Sequence, residues 1–135
     1  MRKAIPIVLI LALGIMFGGS GTRLNAQQDA IKRSVLVKTE MAGVQGMDGY
    51  VVDVEIAPGA QSGRHYHPGH EFGYVLDGEG VLELDGSPPI PLKKGVSTHI
   101  DPKVVHNGRN TGTTPLKLVV FYVLERGQPL AIPVK

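Results

Sequence analysis

From residue 34 onward the chain is a succession of short runs, many of them alternating apolar and polar residues, each closed by glycine, proline or an Asp-Gly pair. Alternation with a period of two marks a strand that buries one face. It is clearest over 50–56, where Tyr50, Val52, Val54 and Ile56 fall on one side and Val51, Asp53 and Glu55 on the other. Pro58-Gly59 then predicts a type II turn, proline setting φ and glycine accepting a positive φ. A β-branched run over 34–39 predicts an earlier strand, and the glycine-rich 41–49 with its Asp48-Gly49 pair predicts a turn between the two. Further strands are expected over 64–67, 71–76, 81–84, 96–100 and 104–106, separated by Pro68-Gly69, Asp77-Gly78, Asp85-Gly86 and Asp101-Pro102 and ended by Asn107-Gly108. Ser87-Pro88-Pro89-Ile90-Pro91 reads as a loop or a sheet edge, because proline donates nothing to a ladder. The run 116–124 is nearly all apolar and predicts a strand buried on both faces. No part of this region has helical periodicity, and many short strands between turns indicate an all-β sandwich or barrel in one domain.

The first 26 residues do not follow this pattern. Met1-Arg2-Lys3 is basic, 4–17 is apolar, and Gly18, Gly19 and Ser20 follow, which reads as a secretory signal peptide cut after Ala26. The apolar run is shorter than the roughly 20 residues of a spanning helix. The expected organisation is therefore 1–26 signal peptide, 27–48 a polar arm (27–33) and first strand, and 49–135 a barrel with a C-terminal strand. Export implies a periplasmic or secreted protein, with no membrane attachment after cleavage.

Removal of the leader changes the charge. The whole chain is +2, but Arg2, Lys3 and Arg23 precede the cut and no acidic residue does, leaving 11 basic against 12 acidic residues, or −1. The basic isoelectric point then belongs to the leader and implies no nucleic-acid partner. Cysteine is absent, which excludes disulfides, thiol nucleophiles and thiolate metal ligands. A domain of about 110 residues buries enough apolar area to fold without cross-links.

The chemistry concentrates in 59–78, which holds three of the five histidines. His65 and His67 alternate on an extended segment and so point to one face. Glu71 shares their parity if Pro68-Gly69 leaves the register unchanged. Two imidazoles and a carboxylate directed at one point form most of a divalent-metal site. A further ligand is sought downstream, where His106 stands at the end of a strand. His99 competes, but it is adjacent to Ile100 with opposite parity, and the aliphatic residue suits the interior. His70 adjoins a turn and is expected in solvent, as is Arg109. Tyr50, Phe121 and Tyr122 are expected to pack in the core, and Asn110 to hold its loop through side-chain-to-backbone hydrogen bonds.

Gly59, His65, His67, Glu71 and Gly78 match G-x5-H-x-H-x3,4-E-x6-G at every position and spacing. By this motif the chain resembles the small single-domain cupins of the double-stranded β-helix class. The family's second motif, G-x5-P-x-G-x2-H-x3-N, is met by Gly95, His106 and Asn110, with Asp101 in place of proline and Lys103 in place of glycine. The resemblance covers roughly 50–123. It implies a jelly-roll barrel of six to eight strands and one divalent ion per chain (iron, manganese, nickel, zinc or copper) held by His65, His67, Glu71 and His106. It also implies a homodimer as the common assembly. Two functions are compatible with such a site. One is a dioxygenase-like or isomerase-like enzyme acting on a small oxygenated molecule, with Glu71 as the catalytic base. The other is a non-catalytic exported protein that binds a small ligand or metal.

Overall fold

The computed structural model describes residues 30–135. The signal peptide expected over 1–26 and the beginning of the arm lie outside the described residues. Ten strands run in order: β1 (Ile31–Glu40), β2 (Met47–Ile56), β3 (His65–Tyr66), β4 (His70–Asp77), β5 (Glu79–Leu84), β6 (Ile90–Lys93), β7 (Ser97–Ile100), β8 (His106–Asn110), β9 (Leu116–Glu125) and β10 (Ile132–Pro133). They form two five-stranded antiparallel sheets, ordered β1-β2-β9-β4-β7 and β10-β3-β8-β5-β6. Among the described residues no helix is long and apolar enough to cross a membrane.

The all-β expectation holds, but the barrel does not. Neither sheet closes: the first ends at β1 and β7, the second at β10 and β6. Closure requires every strand to be paired on both sides. The second sheet's edges carry Pro91 in β6 and Pro133 in β10, residues that cannot donate to a further ladder. The first sheet's β7 is only four residues long. The two open sheets instead face each other over one core.

That core follows from the alternation. Val52, Val54 and Ile56 of β2, Val75 of β4, Ile100 of β7 and Leu116, Val120, Tyr122 and Leu124 of β9 meet Leu82 of β5 and Leu92 of β6. The inward parity expected for β2 is therefore observed. The expectation that 116–124 is buried on both faces is not. β9 lies between β2 and β4, yet its outer residue Phe121 is 45 % exposed, because nothing covers the outside of the first sheet. Hydrogen-bonded centrality and burial are separate properties.

One arm and two turn expectations are also revised. Ile31, Lys32 and Arg33, placed in a loose arm, begin β1 and pair with Ile56, Glu55 and Val54. Asp48-Gly49 lies within β2, opposite Leu124 and Val123, with the reversal made earlier at 41–46. Asn107-Gly108 lies within β8, opposite Glu83 and Leu82. Both dipeptides are good hairpin formers, but long paired neighbours extended the strand through them. Pro58-Gly59 does form the expected turn: Gly59 has φ +74° and the Ala60 N–H donates to the Ala57 carbonyl, as in type II. Gly78, at the other end of the motif, has φ +83°, and a Cβ there would lie 2.4 Å from the Pro115 carbonyl oxygen.

Asn110 fastens the two sheets together. Its side chain is buried at the end of β8. Nδ2 donates to the carbonyls of Ile56, the last residue of β2, and of Thr114, just before β9, at 2.8 Å each. Its Oδ1 accepts from the Gly112 N–H. The loop-holding role expected for Asn110 is thus observed. Lys103 takes φ +66°, the left-handed conformation natural to the glycine that the second motif has at this position, and its N–H donates to the His67 carbonyl at 2.9 Å. A lysine therefore holds a left-handed conformation here, which is strained for a residue with a Cβ.

Asn110→Ala leaves the Ile56 and Thr114 carbonyls without their donor, and a loss of about 2–3 kcal/mol is expected in denaturant unfolding. Lys103→Gly removes the left-handed penalty but adds freedom to the unfolded chain, so a gain of about 0.5–1 kcal/mol is expected in the same measurement. A less stable Lys103→Gly protein would show that the turn is unstrained.

Candidate metal centre

His65 in β3 is paired directly with His106 in β8, which brings their rings to 4.3 Å between centroids. His67 is two residues beyond His65 and faces the same way; its ring centroid lies 4.9 Å from that of His65 and 5.1 Å from that of His106. All three histidines are buried, and one donor nitrogen from each falls within 4.8 Å of the others. Glu71 enters from the other sheet. It lies on β4 with its side chain turned inward, its Oε2 2.6 Å from His67 Nε2 and 3.6 Å from His106 Nε2. Pro68-Gly69 therefore leaves the parity of His65, His67 and Glu71 intact. The four side chains named from the sequence come together where the two sheets face each other.

The histidines are oriented by backbone. His65 Nδ1 donates to the Gly63 carbonyl at 2.8 Å and His106 Nδ1 to the Val104 carbonyl at 2.9 Å. His67 Nδ1 donates to the Leu130 carbonyl. A carbonyl can only accept, so each Nδ1 carries the proton and each Nε2 points into the site. This is the arrangement by which an outer hydrogen bond selects the tautomer of a metal-binding imidazole. It leaves His67 Nε2 buried and without a hydrogen-bond partner, although the Glu71 oxygen is 2.6 Å away. A neutral imidazole there presents a lone pair to a carboxylate lone pair. The contact is favourable only with a positive charge between the two atoms, supplied by a proton or a metal ion. The nitrogen and oxygen donors suit a divalent transition metal.

Protonation behaviour agrees. Burial holds His65 well below its usual range, at about 4, with the neighbouring His106 and His67 adding to the effect, so it stays a neutral donor through mildly acid pH. Burial would raise Glu71, but its interactions with the neighbouring imidazoles, His106 first, outweigh it and hold the carboxyl at about 2. Burial likewise opposes charge on His106; the bond and negative charge of Glu71, with the Val104 carbonyl, prevail and raise it. Tyr122, opposite Glu71 in the β4–β9 ladder, is raised by burial and by the Glu71 charge and keeps its proton.

A cavity of about 60 Å³ adjoins these groups, with Val54, Leu82 and Val120 among its apolar walls and Arg33, Ser62, Thr98 and Tyr122 among its polar ones. Arg33 gave no signal in the sequence, because its stretch carries no alternation. It reaches the cavity only because β1 pairs with β2. Tyr122 is packed in the core as expected, yet it also borders the site, its ring centroid 4.7 Å from that of His67. The parity of β9 was the available signal. His70 and His99 project from the outer face of the first sheet, and Ile100 is buried in preference to His99. Arg109 is half exposed and pairs with Glu83.

The Glu71 carboxylate and the Val104 carbonyl raise the His106 pKa, so below that raised value the metal-free site holds a proton which an entering cation displaces. Proton release on ion binding is expected to be greatest below the raised His106 value and to fall toward zero as pH rises past it, with affinity rising in parallel. Calorimetric titration with Zn2+ in buffers of different ionisation enthalpy measures this. Release that persists undiminished in His106→Gln would exclude His106 as the source.

Comparison with known proteins bears on the fold. An uncharacterized protein of Methanocaldococcus jannaschii is 38 % identical over 56 residues, which are 42 % of this chain and 43 % of that one; the match spans less than half of that relative. A double-stranded β-helix protein from Klebsiella pneumoniae superposes with a TM-score of 0.62 at 26 % identity, over 78 % of this chain and 85 % of its own. A cupin-like protein from Thermotoga maritima gives 0.60 at 29 %, over 77 % and 75 %. The family model for the cupin domain matches residues 52–122, more than half of the chain and all four converging side chains, and the chain belongs to the cupin family.

Proposed function

We propose that His65, His67, Glu71 and His106 hold one divalent transition-metal ion, and that the chain is a metal-dependent enzyme of dioxygenase-like or isomerase-like type acting on a small oxygenated molecule. The observation that carries this reading is the buried, partnerless Nε2 of His67 facing the Glu71 carboxylate, in a site whose other two imidazoles are turned the same way by backbone carbonyls. An ion held there supplies Lewis-acid or redox chemistry to an oxygen ligand.

The chain's own residues suit such a substrate. Tyr122 keeps its hydroxyl proton and is a donor toward a substrate oxygen. Glu71 stays ionised and is the candidate base if its metal bond is labile, because loosening the interactions that hold its pKa down restores its proton affinity. Arg33, exposed at the cavity wall, can meet an anionic group. The apolar walls exclude bulk water and strengthen each of these contacts. The alternative, a non-catalytic binding role, draws on the size of the cavity, about 60 Å³, which accommodates a ligand of only a few atoms.

The test is metal analysis of purified wild type and His65→Ala, joined to oxygen uptake and product analysis on small diols and enols. Wild type is expected to hold one ion in this site and to turn over, and His65→Ala to lose more than about 100-fold of that activity together with the ion. Metal retained without turnover on any compound would establish the binding role. Failure to take up iron, manganese, nickel, zinc or copper would sink both.

A further inference from the structure

We propose that His70, His99 and Asp101 form a second divalent-metal site, exposed on the outer face of the first sheet and separate from the interior centre. Successive residues of a strand point to opposite faces, so His70 projects outward from β4 while Glu71 projects inward. His99 projects outward from the adjoining β7, where it is the ladder partner of Phe72, and Asp101 follows β7 directly. His70 Nδ1 lies 3.0 Å from His99 Nε2, and Asp101 Oδ1 lies 3.7 Å from the first and 3.8 Å from the second.

These distances are those of ligands around one ion. Donors bound at about 2.0–2.1 Å lie about 2.9–3.4 Å from one another in octahedral or tetrahedral sites, so the two nitrogens already have the required spacing; each ring has to turn to aim its lone pair at the ion, and the carboxylate to move by a few tenths of an ångström. The His99 ring stacks on Phe72 at 4.7 Å between centroids with 18° between planes, and the His70 ring lies edge to edge with that of His99, with 5.3 Å between centroids and 20° between planes. Stacking on Phe72 within rigid paired strands restrains the His99 ring and reduces the ordering that binding would require.

Without an ion the cluster is poorly resolved chemically. The two nitrogens at 3.0 Å can share one proton, while Asp101 is too far from either to accept a hydrogen bond. Two imidazoles and one carboxylate select a borderline d-block ion, with copper and zinc bound more tightly than the earlier metals of the row. Side-chain exposures of 43 %, 45 % and 68 % for His70, His99 and Asp101 leave the remaining coordination positions open to solvent. Asp101 also occupies the position at which the second motif has proline, so this donor belongs to the present chain rather than to the motif.

The test counts ions. Equilibrium dialysis against Zn2+ followed by elemental analysis is expected to give two equivalents for wild type, one for His99→Asn and one for His65→Asn. Asp101→Asn is expected to weaken the second equivalent by about ten-fold. Copper loading read by electron paramagnetic resonance is expected to show two signals, one of which His99→Asn removes. Because His99 is exposed, its variant keeps the fold, and near-ultraviolet circular dichroism checks this. One equivalent in wild type that survives in His99→Asn would overturn the proposal, as would two equivalents retained in that variant. One equivalent lost in His99→Asn would support the outer site and reject the interior one.

Discussion

The contact between His67 Nε2 and the Glu71 carboxylate is the constraint around which the interior is built. Two electron-rich atoms are held 2.6 Å apart in a buried site, where an unbalanced interaction is costly. Relaxation is prevented from both sides. The Leu130 carbonyl holds the imidazole through Nδ1, the turn at Lys103 holds the His67 backbone, and Glu71 is anchored in a strand paired with both β7 and β9. The fold therefore maintains a demand for positive charge at a defined point. This is what preorganisation of a cation site means physically.

Each sheet contributes a different part of that site. The second supplies the three imidazoles, on β3, just beyond it, and on β8. The first supplies the carboxylate, Tyr122 and Arg33. A site divided between layers depends on the distance between them, and the distance is set by the shared apolar core and by Asn110, whose amide joins the end of β8 to the end of β2. Since neither sheet is closed, these ties take the place of the continuous hydrogen-bond ring that a barrel would have.

The outer face of the first sheet is chemically different from its inner face although the same strands build both. β4 carries Glu71, Gly73 and Val75 inward and His70, Phe72 and Tyr74 outward, and β9 carries Val120 and Tyr122 inward and Phe121 outward. Phe72 and Phe121 are ladder partners, each nearly half exposed. The pleat thus allows one strand pair to line a buried centre and to display an aromatic and imidazole cluster on its other side, without conflict in packing.

The sequence by itself determined the all-β class, most strand positions, the inward parity of β2 and the shared facing of His65, His67 and Glu71, with His106 named as the side chain that joins them. It could do so because side-chain alternation and short-range spacing are local properties of an extended chain. It misjudged Asp48-Gly49 and Asn107-Gly108, since a turn propensity of a few tenths of a kilocalorie yields to a continuous ladder. It read β9 as buried on both sides and the sheets as a closed barrel, because apolar content does not report what lies across a sheet or whether edges meet. Only the tertiary structure decided that the Gly63, Leu130 and Val104 carbonyls turn each Nε2 inward, that Arg33 reaches the cavity, and that His70, His99 and Asp101 meet on the opposite face. Those contacts join residues distant in the chain, or involve backbone atoms that every residue has in common, and neither leaves a mark on the order of side chains.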